Sequence, residues 1–391
     1  MTISSLKKLK SLSGKTVFLR VDFNVPLEGR RIKEDYRIKS EIETIEFLLK
    51  KGARLIIASH LGEPKGIEAA FSLRPVATRL KSLLKRPVKF LSSAVGPKTE
   101  AAVSAMQKGE IVMLENLRFN AGEYQNDSKF AASLAALADI YVNDAFAVCH
   151  RDQASVSAIK NYLPSYAGLL LEKEIIALNR ILKPKKPLVV IMGGAKISTK
   201  APLISKLYPA ASHILIGGAL ANNFFKFQGF EIGKSMQDDD SAPYIKKFYR
   251  GKKLSPKLIL PQDVVVKTKD GRAKVVAPAA VKASDTILDI GPATISAFAA
   301  YIKQANTLAW NGPLGKFEEP SFKAGTLAIA HLLASRSSGL AYGVVGGGET
   351  VAALSLTKMS EYVDWISTAG GAMLTYLGGG KLPGLKKIVR A

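Results

Sequence analysis

Short apolar runs punctuate the chain at fairly even intervals, over residues 16–21, 54–58, 111–114, 140–142, 188–192, 213–216, 258–260, 286–288, 307–310, 340–345 and 362–366. Most are near the roughly 4–8 residues of a strand buried on both faces. Segments of helical period lie between many of them. Two of these, 40–51 and 128–138, open on a Ser suited to capping a helix N-terminus. Strands rich in Val, Ile and Leu that alternate with helices predict an α/β fold with mainly parallel sheets covered on both faces. The strands are too many for one ordinary sheet, and 391 residues also favour two domains. Residues 165–178 are expected to form one long helix, ended by the Lys183-Pro184-Lys185-Lys186-Pro187 cluster. The expected division is therefore 1–165, a connecting helix and link over 166–186, and 187–375.

Composition narrows the class. Hydrophobic content of 47% with 23% charged residues excludes a disordered chain. A single Cys excludes a disulfide framework within the chain and a cysteine-based zinc cluster, and only four His are present. No apolar stretch reaches the roughly 20 residues of a membrane span, and the first ten residues lack a secretory pattern. A cytoplasmic protein with no membrane partner is expected. The net charge of +24 invites a nucleic-acid reading, but the excess is diffuse. Residues 1–170 carry 26 Lys+Arg against 17 Asp+Glu, and residues 171–391 carry 30 against 15. Such a spread points to solvated lysine faces and small anions rather than to specific nucleic-acid binding.

Parallel sheets bind ligands beyond the carboxyl ends of their strands, so the residues just after each run matter most. In the first half these are Arg20-Val21-Asp22-Phe23-Asn24-Val25-Pro26, Ser59-His60-Leu61-Gly62, Glu115-Asn116-Leu117-Arg118-Phe119 and Asn143-Asp144, with His150-Arg151 soon after and Arg37 beyond a charged loop. Arg, His and Asn gathered at one sheet edge suit a small, highly anionic ligand. The second half is glycine-rich at its strand ends: Gly193-Gly194-Ala195-Lys196, Gly217-Gly218-Ala219, Asp289-Ile290-Gly291-Pro292, Asn311-Gly312-Pro313-Leu314-Gly315 and Gly346-Gly347-Gly348-Glu349-Thr350. Glycine lets backbone approach phosphates, and a following helix N-terminus offers free N–H groups. Together they suggest a nucleotide site. Lys196 and Lys200, four apart, would project from one helical face toward phosphate oxygens.

Other chemistries fail on inspection. Cys149 and His150 are sequence neighbours and do not form a facing nucleophile pair, and GxSxG and HExxH are absent. Asp238-Asp239-Asp240 lacks EF-hand spacing and reads as a solvated loop. A nicotinamide dehydrogenase is disfavoured, because no acidic residue follows a GxGxxG at ribose-binding distance.

The strings above, together with Val142-Asn143-Asp144-Ala145-Phe146, Leu171-Glu172-Lys173-Glu174, Trp310-Asn311-Gly312-Pro313 and Lys381-Leu382-Pro383-Gly384, resemble the phosphoglycerate kinase family in order from about Val17 to Leu385. The resemblance implies two Rossmann-like α/β domains joined by a helix and hinge, with a C-terminal tail of about 376–391 packing back on the first. It implies a monomeric, cytoplasmic glycolytic enzyme that binds 3-phosphoglycerate or 1,3-bisphosphoglycerate on the first domain and ATP or ADP with Mg2+ on the second, and transfers phosphate by hinge closure. The implied phosphoglycerate site is Asp22, Asn24, Arg37, His60, Arg118 and Arg151, with His150 nearby. The implied nucleotide site is Gly194, Lys196, Lys200, Gly218, Asn311, Pro313, Glu318, Gly347, Gly348 and Thr350, with Glu349 at the magnesium position. Arg37, Lys196 and Lys200 are the expected catalytic residues. An impaired, purely binding member of the same fold is the rival reading.

Four positions depart from the family pattern. Glu63 stands where Arg is usual and is expected to weaken binding of the anionic substrate; Gln153 replaces His. Glu349 replaces Asp, which is expected to be tolerated with a shifted metal affinity. Ala369 replaces the first of three glycines and would be strained if that position required a positive φ.

Overall fold

The computed structural model describes residues 2–367 and 369–390. The chain divides into two units, Met1–Ile175 with Lys381–Ala391, and Ile176–Gly380.

Unit 1 is built on a six-stranded sheet in the order Lys89–Phe90, Ile111–Met113, Arg54–Ala58, Thr16–Arg20, Ile140–Asn143, Ser165–Ala167, every neighbouring pair parallel. The strand Thr16–Arg20 is buried at every position, and Val17 and Leu19 join Leu55, Ile57, Ile45 and Leu80 in one core. A strand covered on both faces cannot alternate polar with apolar residues, which explains the continuous runs in the sequence. Register aligns the strand ends: Arg20 pairs with Ala58 and with Asn143. Asp22, His60 and Asp144 therefore emerge from the same edge.

Unit 2 repeats the plan in the order Leu258–Ile259, His213–Ile216, Leu188–Met192, Thr307–Asn311, Tyr342–Gly346, Trp365–Ser367, again all parallel. Met192 pairs with Ile216 and Asn311, and Asn311 with Gly346. The glycine-rich turns after these strands share one edge. A separate antiparallel sheet of Ala273–Val276, Val264–Lys267 and Thr286–Ile290 flanks this framework.

Residues 165–178 are not one helix. Ser165–Ala167 extend as the edge strand against Tyr141–Asn143, and the helix runs over Leu169–Leu182. The switch occurs at Gly168, where a Cβ would lie 2.2 Å from the Asp144 carboxyl carbon. Asp144 Oδ1 in turn accepts from the N–H of Leu171 at 2.7 Å, satisfying one of the orphan donors of the helix's first turn. Leu171, Ile175, Leu178 and Ile181 form its buried stripe. Glu41 divides the segment expected over 40–51 into Tyr36–Ser40 and Ile42–Lys50. The later helix Ser128–Ala135 is capped by Asp127, whose Oδ1 accepts from Phe130 N–H at 2.7 Å.

The chain end returns to unit 1. Val389–Arg390 pairs antiparallel with Thr2–Ile3, Gly384 N–H donates to Cys149 O at 2.9 Å, and Asn143 Nδ2 donates to Gly384 O at 3.1 Å. The helix Gly370–Leu377 that precedes it belongs to unit 2. Among the described residues no helix is long and apolar enough to cross a membrane.

Candidate functional site

At the strand-end edge of unit 1, Asp22 is buried and its Oδ2 accepts from Arg37 Nη1 at 2.5 Å. His60 is buried beside them, with Nδ1 3.3 Å from Arg20 Nη2 and 3.9 Å from Asp22 Oδ1. An arginine can only donate, so Nδ1 accepts and the ring proton sits on Nε2. Burial, followed by the charges of Arg20, Arg118, Arg37 and Arg151, pushes His60 well below the usual imidazole range and keeps it neutral. The same ring thus senses four arginines from separate segments. Arg20 was not among the expected site residues. Its Nε donates to Ser155 Oγ at 2.9 Å, and Ser155 Oγ donates to Glu123 Oε1 at 2.6 Å, so a buried chain of polar groups holds it in place.

Gly62 joins Asn24 to Arg118. Its N–H donates to Asn24 Oδ1 at 2.9 Å, and its carbonyl accepts from Arg118 Nη1 at 2.6 Å. Asn116 is the splint beneath: its Nδ2 donates to Leu61 O at 2.8 Å and Phe71 O at 2.9 Å, and its Oδ1 accepts from Arg118 N–H at 3.0 Å. The Arg118 side chain is buried, yet its Nε and Nη2 have no partner. Arg151 is exposed and reaches the same place as Arg118 through Glu63, which pairs with both. His150 is half-buried, and burial lowers its pKa. Cys149 is buried, and burial pushes its thiol up to about 12, which leaves it inert as a nucleophile. Gln153 is buried, with Oε1 unpartnered.

Unit 2 holds a cavity of about 600 Å³, lined by the expected Gly194, Gly218, Pro313, Glu318 and Glu349. Phe225, Met236, Leu288 and Ile290 also line it and were not expected; they give it an apolar slot fit for a flat ring. Close backbone packing forms its floor. Gly312, at φ +92°, would place a Cβ 2.3 Å from Gly193 O. Asn311 Nδ2 donates to Gly346 O at 2.7 Å, and Gly312 N–H donates to Thr350 Oγ1 at 2.7 Å, tying two strand ends together. The helix Gly348–Leu356 begins there, after Gly347 at φ +98°, with Glu349 in its first turn.

Lys200 donates to Asn311 Oδ1, and burial lowers its pKa to about 8 against the opposing pull of Glu349. Lys196 does not share a helical face with Lys200. It is the extended residue at φ −102° just before the helix Ile197–Leu207, because the Gly193-Gly194-Ala195 turn delays the helix start. It is exposed. Asp289, at the cavity wall, accepts from Ile290 N–H at 2.9 Å and Gly325 N–H at 2.8 Å, while burial pushes it up to about 7. Asp238 Oδ2 accepts from Ser198 N–H and Oγ at 3.1 and 2.8 Å and so caps the helix Ile197–Leu207, while Asp239 and Asp240 are exposed, as a solvated loop requires. Ala369 sits at φ −100°, so the position needs no glycine and the expected strain is absent. Its neighbour Thr368 lies outside the described residues.

Among the described residues no group of three or more His, Cys, Asp or Glu could hold a metal ion. Glu349 is one exposed carboxylate on the cavity wall. One carboxylate suits Mg2+ that arrives with a nucleotide, since Mg2+ keeps phosphate and water ligands.

The model of the family described as phosphoglycerate kinase matches residues 6–380. Similar curated proteins include the phosphoglycerate kinases of Thermomicrobium roseum, 43% identical with 94% of this chain and 95% of the relative covered, and of Moorella thermoacetica, 44% identical with 97% and 98% covered. Among solved structures, phosphoglycerate kinase from Coxiella burnetii superposes with TM-score 0.85 at 37% identity, covering 99% of both chains. That from Pyrococcus horikoshii gives 0.83 at 29% identity, covering 98% of both chains.

Proposed function

Since the chain belongs to the phosphoglycerate kinase family, its reaction is the glycolytic, reversible phosphoryl transfer between 1,3-bisphosphoglycerate and ADP that yields 3-phosphoglycerate and ATP, and we propose how its two pockets divide that work. The basic edge of unit 1 takes the glycerate phosphate. Arg37, Arg118 and Arg151 grip phosphate and carboxylate oxygens, neutral His60 donates from Nε2, and Asp22 and Asn24 hold Arg37 and Gly62 in place. The glycine-lined cavity of unit 2 takes the nucleotide. Its apolar slot receives the base, Glu318 accepts from ribose hydroxyls, and the backbone of Gly194, Gly218, Pro313, Gly347 and Gly348 approaches the phosphates. Asn311 and Thr350 brace that backbone, while Lys196 and Lys200 supply cations.

Mg2+ held by Glu349 and the nucleotide phosphates would neutralise charge on the bridging oxygens. Transfer spreads negative charge over the equatorial oxygens of the moving group, so positioning and cations do most of the work. Arg37 on unit 1 and Lys196 and Lys200 on unit 2 are the cations available to it. Ligands carried on different units require closure of the units during turnover, which also expels water that would hydrolyse the acyl phosphate. One chain supplies both pockets, so a monomer suffices for the reaction.

The observation that carries this reading is the gathering of four arginines around one buried, neutral His60. The test is a coupled assay with 3-phosphoglycerate and MgATP. Turnover at ordinary kinase rates, about 1–100 per second, is expected. No turnover from a folded protein that still binds both substrates would leave only a binding protein.

A further inference from the structure

The Arg118–Arg151 pocket already holds an anion, and it belongs to the chain itself. Glu63 Oε1 forms ion pairs with Arg118 Nη1 at 2.9 Å and with Arg151 Nη2 at 3.1 Å. Tyr124 completes the cradle: its hydroxyl donates to Glu63 Oε2 at 3.3 Å, and its ring lies 5.4 Å from the Arg118 guanidinium. Two guanidinium groups and one hydroxyl converge on one carboxylate, as they would on a ligand's.

The partners differ in freedom. The Arg118 side chain is 1% exposed, fixed by Gly62 O and left with Nε and Nη2 unpartnered, whereas the Glu63 side chain is 56% exposed. The cation cannot leave for water, but the carboxylate can. Gly62, at φ +62°, is held by Asn24 and Arg118, so the backbone before Glu63 stays put while its side chain rotates out. We propose that Glu63 is a built-in competitor for the anion subsite of Arg118 and Arg151, displaced by the substrate's phosphate each time it binds. This rests on unit 1 being the glycerate-phosphate site. It goes beyond charge repulsion, because a repelling carboxylate would stay in position and act independently of Arg151. A displaced one must act through Arg151.

Two partly exposed ion pairs have to be exchanged for substrate contacts, which predicts a moderate penalty on affinity. A double-mutant cycle decides. Binding of 3-phosphoglycerate to the full chain is measured by calorimetry for the wild type, E63Q, R151Q and the double variant. E63Q, which keeps shape and removes charge, should bind about five- to tenfold more tightly. R151Q should cost about twofold in the wild type, where the loss of Arg151 also loosens the competitor, and about tenfold or more in the E63Q background. MgADP affinity should not move in any variant.

If E63Q binds no more tightly, or if the two substitutions act additively while R151Q still weakens binding, the competitor is refuted and the assignment of the pocket stands. If R151Q leaves 3-phosphoglycerate binding unchanged in both backgrounds, the pocket assignment fails and takes the competitor with it.

Discussion

The two pockets sit at equivalent strand ends yet are made of different material. In unit 1 the groups proposed to recognise the ligand are side chains: Arg37, His60 and Arg118, braced by Asp22, Arg20 and Asn116, and the exposed Arg151. In unit 2 the wall is mostly backbone and apolar carbon, and Asn311 and Thr350 are spent on holding glycine turns together. A site of charged side chains can be altered one charge at a time, as Glu63 illustrates, without touching the fold. A site of close-packed backbone resists the addition of a single carbon atom and tolerates much at its exposed rim.

The sharpest way to break the contrast is Arg37→Ala. If Arg37 is the cation proposed for the transferred group, its loss should lower kcat by about a hundred- to a thousandfold, with a fall in thermal midpoint no larger than the stranded Asp22 carboxylate explains. Steady-state kinetics alongside a melting curve measure both; near-normal kcat would remove Arg37 from the reaction. Next comes Gly312→Ala, which should do the opposite. Its Cβ would meet the Gly193 carbonyl at a backbone angle glycine alone favours, so unit 2 should lose about 2–4 kcal/mol of stability in a denaturant titration. Unchanged stability would mean the turn is looser than its geometry.

The smallest effect concerns Lys200, the nearest unit 2 comes to the chemistry of unit 1. With its pKa lowered to about 8, it is charged below that pH and neutral above it. MgADP affinity should fall about tenfold between pH 7 and pH 9, and Lys200→Arg, charged throughout, should flatten the profile. For the ligand-free protein the sign runs the other way. Between about 8 and the ordinary lysine value of 10.5, the unfolded chain holds a proton the folded one lacks, so this residue's contribution to stability rises with pH.

Much of the parallel framework was legible, because a strand buried on both faces must be written as an unbroken apolar run and the residues after it must be the exposed strand ends. The fine structure was not. Ser165–Ala167 carries no such run; its extended form comes from pairing with Tyr141–Asn143 and from the tight fit of Gly168 against Asp144, both set by distant chain. Arg20 reads as the last residue of a strand until His60 comes beside it. Phe225 and Ile290 resemble any other core residue until the cavity they line is formed. Glu63 shows as a reversed charge in the sequence, but its grip on Arg118 and Arg151 exists only in three dimensions.

The return of Lys381–Ala391 to unit 1 has a consequence for how the chain is made. A lobe formed from one continuous stretch can finish folding as it leaves the ribosome. Here the first lobe must wait while all of Ile176–Gly380 is synthesised, roughly ten to forty seconds at ordinary elongation rates. Until then Asn143 and Cys149 lack their partners from Gly384, and Thr2–Ile3 has no strand beside it. The opening lobe thus gains its last contacts only after the whole of the second has been made.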